Sequence, residues 1–379
     1  MLRAGEASVV AAPPRFDACI AGIGTALPPY IVPQAIVAEH VIDSLSDPRL
    51  RKFARWLFRR SGVEARPFVI PDAVDVSLSS LYKDGEPSLG ERMAVYREEA
   101  PTLAETAARR ALADARVEPS AVTHLVLVTS TGAYTPGPDV DLVDRLGLSP
   151  TVERTVVSMM GCSGAFNGIR VARRGIEAHS EGVALLVCVE LCSIHMDRDC
   201  DPGRIVAYTL FGDAAAAVVL QSGTPARDAW AVLREDASRL ETQHRAALEW
   251  KLGDRGFELH LGRSLPGAIG ESVGGFVAPL VRRATGFADP GRIAWWAVHP
   301  GGTAILRKVE ESLGLKPEAL SASRDVFCRL GNLSSPSVIF VLEQELSRAP
   351  EGGSGILLGF GPGLTLEAIH AVRGGRESR

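Results

Sequence analysis

Short apolar runs alternate along this chain with longer stretches whose apolar residues return every three or four positions. FDACIAGIGTAL, THLVLVTST, GVALLVCVE and AAAAVVLQ have strand length and are rich in Val, Leu, Ile and Ala, which predicts buried strands. Between them, APTLAETAARRALADA sets Leu103, Ala107, Ala111 and Leu112 on one face of a helix, and CSGAFNGIRVARRGIEA does the same with Ile169, Ala172 and Ile176. The second half repeats the alternation: IAWWAVHP as a strand, GGTAILRKVEESLGL and SPSVIFVLEQELSRA as helices, GSGILLGFG as a strand. Two rounds of strand and helix predict a duplicated α/β arrangement, although no repeat is visible in the letters themselves. The polar stretch QSGTPARD places the boundary near Ser222 to Thr224, giving halves of residues 18–222 and 223–371. The polar, weakly periodic segment from Val74 to Arg92 predicts a surface loop, and the tail RGGRESR is expected to fray.

Composition narrows the function. With 379 residues and 46% hydrophobic content there is ample material for a core, and a formal net charge of −4 with mixed signs argues against a nucleic-acid partner. The N-terminus is too short and interrupted in its apolar run for a secretory signal. No stretch of eighteen apolar residues predicts a membrane span, so a cytoplasmic protein is expected. The six cysteines, at 19, 162, 188, 192, 200 and 328, are then expected as thiols. Cys188, Cys192 and His195 invite a zinc site. The second ligand pair that structural zinc needs is absent, and Cys188 lies in an apolar run, so buried or pocket-lining thiols are the expectation.

Three polar residues stand in contexts rich in small residues: Cys162 in MMGCSGAFNG, His299 in WAVHPGGTAIL and Asn332 in RLGNLSSPSV. Cys162 joins a strand-like stretch to a helical one, which predicts a sulfur near a helix N-terminus where the dipole favours thiolate. His299 ends a strand before Pro300, Gly301 and Gly302. Each has an ordinary reading alone: a buried thiol, a satisfied histidine at a strand end, and for Asn332 a helix N-cap. As a set they are the parts that acyl transfer through a thioester requires: a nucleophile, a base and an amide donor.

Together with Leu210-Phe211-Gly212-Asp213 and the segment GFGPG at 359–363, these motifs resemble the type III polyketide synthases, the chalcone and stilbene synthase-like branch of the thiolase superfamily. The resemblance runs from about Ala18 to Ala371. It implies a five-layered αβαβα fold of two related halves, a homodimer, CoA thioesters as substrates and no metal or redox cofactor. It implies that Cys162, His299 and Asn332 form the catalytic triad, with Cys162 held as thiolate by His299, and that Phe211 orients the malonyl group. It brings Ser130, Cys192, His195, Trp250, Leu259, Ser334 and Gly361 to the substrate pocket. The family pattern K-F-x-R-x-x-x-K, which binds CoA phosphate, is kept as Lys52, Arg55 and Arg59, three residues that share a helical face. Thr135 stands where many relatives carry a methionine that crosses the dimer interface. The phrase CVELCS, with Cys192 and His195, is more like bacterial alkylpyrone and alkylresorcinol synthases, which implies a fatty acyl starter and leaves an acyl carrier protein open as its donor. The rival readings are a ketoacyl synthase working on carrier-bound substrates and a Cys-His thioesterase or amidase. The first usually lacks the GFGPG loop, and the second needs no malonyl donor.

Overall fold

The computed structural model describes residues 16–71, 81–82, 85–196, 202–253 and 256–376. Its first half runs β1 (Ala18–Ala26), β2 (Tyr30–Pro33), α1 (Gln34–Ser44), α2 (Pro48–Phe58), β3 (Ala65–Phe68), α3 (Leu89–Ala115), β4 (His124–Thr129), α4 (Pro138–Leu146), β5 (Glu153–Ser158), α5 (Gly164–Ile176), β6 (Val183–Glu190), α6 (Pro202–Tyr208) and β7 (Ala214–Ser222). The second half runs β8 (Ala231–Leu240), β9 (Leu248–Leu252), β10 (Phe257–Leu261), α7 (Leu265–Thr285), β11 (Trp295–Val298), α8 (Thr303–Leu313), α9 (Ser321–Leu330), α10 (Ser337–Leu346), β12 (Ser354–Gly361) and β13 (Thr365–Arg373).

One nine-stranded sheet has the order β11-β12-β13-β8-β1-β7-β6-β4-β5. It is two sheets joined at a narrow seam, because β1 meets β8 only at Cys19↔Val232 and Ile20↔Ala231. Strand alternation builds the layers. In β6, Ala184, Leu186 and Cys188 face inward onto α5 and α10, while Val183, Leu185, Val187 and Val189 face outward onto α3 and α4. In β12, Leu357 faces the same central helices and Ile356, Leu358 and Phe360 face α7 and α8. Helices, sheet, paired helices, sheet and helices thus stack as two related αβαβα-like halves, the expected architecture. Every strand and helix expected from the apolar runs is present.

Two expectations fail. The segment 74–92 is not all surface loop. Residues 74–80 and 83–84 of it lie outside the described residues, but Leu81, Tyr82 and Arg92 are buried and α3 already starts at Leu89. A capping box at Ser88 and Glu91 starts the helix eleven residues before the apolar period becomes regular, and Pro101 lies inside it. The tail does not fray at Arg373 or Arg376. Arg373 Nε donates to the Leu346 carbonyl at 2.8 Å, and Arg376 Nη1 donates to the Ala21 carbonyl at 2.6 Å. Residues 377–379 lie outside the described residues. Among the described residues, no helix is long and apolar enough to cross a membrane.

Candidate active site

Cys162 sits in a single 3-10 turn, Gly161–Ser163, that runs directly into α5. The turn is held tightly. Met159 and Gly161 have φ of +60° and +54°, and the Gly161 N–H donates to Ser130 Oγ at 2.9 Å. Below it lies Gly361, where a Cβ would stand 2.1 Å from Ser163 Oγ, so only glycine lets β12 approach the turn this closely. Gly361 therefore supports the floor, and its neighbours Phe360 and Pro362 form the wall.

From the second half come His299, directly after β11, and Asn332, between α9 and α10. Asn332 is no helix cap, since α10 has Pro336 at that position. Its backbone instead forms a one-residue parallel bridge with Phe211: Asn332 N–H donates to the Leu210 carbonyl at 2.8 Å, and Gly212 N–H donates to the Asn332 carbonyl at 3.0 Å. The Asn332 side-chain oxygen accepts from the Ser334 N–H at 2.8 Å, which fixes the amide's direction. Ser334, at φ +58°, brings its hydroxyl to 3.8 Å from the Cys162 sulfur.

Cys162, His299 and Asn332 line one chamber of about 610 Å³, together with Ser130, Cys192, Phe211, Trp250, Leu259 and Ser334. Much of the remaining wall is aliphatic: Leu248, Leu261, Leu265, Ile269 and Ile305. A second chamber of about 590 Å³ shares Cys192, Phe211, Trp250 and Leu259 with the first. His195 belongs to this second chamber and does not line the first. Its Nε2 bonds to the Thr131 carbonyl at 2.6 Å and its Nδ1 accepts from Phe257 N–H at 3.3 Å, so both ring nitrogens are occupied. Lys52, Arg55 and Arg59 lie on the exposed side of α2 and its C-terminal turn, outside both chamber walls.

Burial of the site acts against the thiolate that the resemblance implies. Burial pushes the Cys162 thiol up to about 12, against the pull of Ser334 and Asn332. Burial also lowers His299 to about 3. Desolvation thus disfavours the charged form of both groups in this chamber.

Two groups gave no clear signal in the sequence. Glu190, fully buried at the end of β6, accepts from Ser130 N–H at 2.9 Å, Thr131 Oγ1 at 2.9 Å and Ser335 Oγ at 2.7 Å, and burial still raises its carboxyl to about 7. A carboxylate closing a strand after seven apolar residues was the available hint. Arg66, also fully buried, donates from Nη1 to the Phe211 carbonyl at 2.8 Å and from Nε to Gln34 Oε1 at 2.9 Å.

Comparison with known proteins decides the family. Models of the N-terminal and C-terminal domains of chalcone and stilbene synthases match residues 7–224 and 234–373. The chain belongs to this family. Among the chalcone and stilbene synthase-like proteins it is 33% identical over 372 residues to the alpha-pyrone synthesis polyketide synthase-like Pks18 of Mycobacterium tuberculosis, covering 96% of this chain and 93% of that one. It is 32% identical to type III polyketide synthase 10 of Oryza sativa subsp. japonica, over 95% of this chain and 93% of the rice protein. Its fold superposes on PKS-I of the brown alga Ectocarpus siliculosus with a TM-score of 0.87 at 25% identity, covering 96% and 100% of the two chains. It superposes on CsyB complexed with CoA-SH with a TM-score of 0.85 at 26% identity, covering 94% and 100%. The protein is a condensing enzyme of the type III polyketide synthase kind.

Proposed function

We propose that this enzyme extends a fatty acyl starter with malonyl-CoA and releases a cyclised alkylpyrone or alkylresorcinol. The observation that carries the starter class is the aliphatic wall of the chamber that holds Cys162, built by Leu248, Leu261, Leu265, Ile269 and Ile305. Such a surface gains from burying methylenes at about 0.8 kcal/mol each.

The Cys162 thiol gives its proton to His299 as its sulfur attacks the starter carbonyl. The S–C bond to CoA then breaks, and the departing thiolate takes that proton. Malonyl-CoA follows. Its carboxylate leaves as CO₂, and the electron pair becomes an enolate whose oxygen accepts from Asn332 and His299. The enolate carbon attacks the Cys162 thioester carbonyl, forming the new C–C bond and breaking the S–C bond; the Cys162 sulfur leaves as thiolate and regains its proton from solvent. Phe211 packs over the malonyl group, and Lys52, Arg55 and Arg59 hold the CoA phosphates. The CoA complex of the similar protein CsyB supports that donor, and an acyl carrier protein can present the same thioester. The functional unit is a homodimer.

The test is incubation with malonyl-CoA and starters from acetyl-CoA to long-chain acyl-CoA, with products read by mass spectrometry beside Cys162→Ala. Long-chain pyrones or resorcinols that disappear in the variant are expected. Products from short or aromatic starters alone would overturn the fatty acyl reading.

A further inference from the structure

The segment from Pro48 to Arg60 carries Arg49, Arg51, Lys52, Arg55, Arg59 and Arg60 and no acidic residue, in a chain whose net charge is −4. Among the described residues none of the six has an ion-pair partner. Arg51 is half-buried and gives its Nε to the Leu45 carbonyl at 2.5 Å, whereas the other five are exposed. At the helical pitch those five and Trp56 fall on one arc about 140° wide. The opposite side packs inward: Ala54 and Phe58 are buried, and Leu50, Phe53 and Leu57 join the cluster that holds Phe211 and Leu259. The cationic face is therefore one helix away from the chamber wall.

Trp56 lies within that arc and is 51% exposed. It is fixed outward, stacked on Phe53 with centroids 6.3 Å apart and planes 13° apart, with the Arg60 guanidinium 5.0 Å from its ring. Three of the cations suffice for the phosphates of one CoA. Arg49, Arg60 and Trp56 are left over, and Arg49 and Arg60 stand roughly 16 Å apart along the axis. A span of charge with a rigid indole inside it suits a protein surface better than a compact phosphate group.

We propose that the outer face of α2 docks an acidic acyl carrier protein, with Trp56 as the apolar anchor, and that the carrier hands its fatty acyl group to Cys162. This rests on the fatty acyl reading above. In the transfer the Cys162 sulfur attacks the carrier thioester carbonyl, the bond to the pantetheine sulfur breaks, and the thiol proton ends on that sulfur. An anionic membrane fits less well, because insertion needs an outward apolar face and that of α2 is buried.

The experiment compares palmitoyl-carrier protein of a bacterial type II fatty-acid synthase with palmitoyl-CoA as starter donor, each with malonyl-CoA as extender. In R49E/R60E, and separately in Trp56→Ala, kcat/KM for the carrier donor should fall at least about tenfold while palmitoyl-CoA changes less than about twofold. Carrier transfer should also slow as salt rises from roughly 50 to 300 mM. Substituting Lys52, Arg55 and Arg59 by Ala should impair both donors. The docking proposal is overturned if both donors fall together in R49E/R60E, if neither falls, or if the wild type refuses the carrier while using palmitoyl-CoA. It is equally overturned if the only property R49E/R60E loses is sedimentation with phosphatidylglycerol vesicles, which assigns the face to a membrane. Failure of the fatty acyl reading would look different: no product from palmitoyl-CoA in the wild type.

Discussion

Trp250 is pinned at both ends. Its Nε1 donates to the Ser130 carbonyl at 3.0 Å, its ring stacks on Phe257 at 5.7 Å, and it borders both chambers. Trp250→Gly should join the two volumes and shift the product spectrum toward longer starters or more extensions, read by mass spectrometry. An unchanged spectrum would remove Trp250 from the control of length. Glu190 gives a second test. Its carboxyl is raised from 4.5 to about 7 by burial, so between those values the folded protein keeps a proton that the unfolded chain has released. This contribution is full below the unfolded value and is lost as pH rises toward about 7. Glu190→Gln cannot ionise. The stability difference between wild type and variant should therefore shift against the wild type as pH rises across that window, measured by thermal unfolding. At this scale the sequence showed what context can show. Glycines and small residues around Cys162, His299 and Asn332 marked a crowded site. The contacts of Glu190 with Ser130, Thr131 and Ser335 join residues 59 to 145 positions apart, which no local pattern encodes.

Among the elements, β3 does more than its four residues suggest. Arg66 on this strand holds the Phe211 carbonyl, and the Pro67 carbonyl accepts from Asp213 N–H at 2.8 Å, so β3 braces the segment that is bridged to Asn332. Arg66→Met should slow malonyl-CoA decarboxylation by about 100-fold, the scale of a displaced oxyanion donor. Alkylation of Cys162 by iodoacetamide should change little, because the nucleophile turn has other supports. Equal loss of both would mean general unfolding. Strand existence was legible wherever apolar residues ran continuously, as in β4 and β6. β5 was harder, because its residues are mostly exposed, and β3 because ARPF resembles a loop. The start of α3 was hidden for another reason. Its capping box lies in a polar stretch, while the helical period shows only further along.

For the whole molecule, the double alternation of strands and helices was enough to imply two halves, since each sheet needs helices on both faces. How the halves lock was not legible, because the seam is a two-residue contact between β1 and β8. Among the described residues β5 ends the sheet with an unpaired edge, and Val156 and the nearby Met159 are 47% and 44% exposed. An open edge of this kind invites a second copy. Sedimentation should give a dimer, and Val156→Lys should shift it toward monomer. A wild type that is monomeric at all concentrations would contradict this. The rung between Phe211 and Asn332 carries a last consequence. One residue from each half shares a single ladder step, so the ring proposed to orient the malonyl group and the amide proposed to stabilise its charge are tied through one backbone rung. Attempts to retune specificity through the backbone around Phe211 will therefore also change turnover, and the two traits will be inherited together.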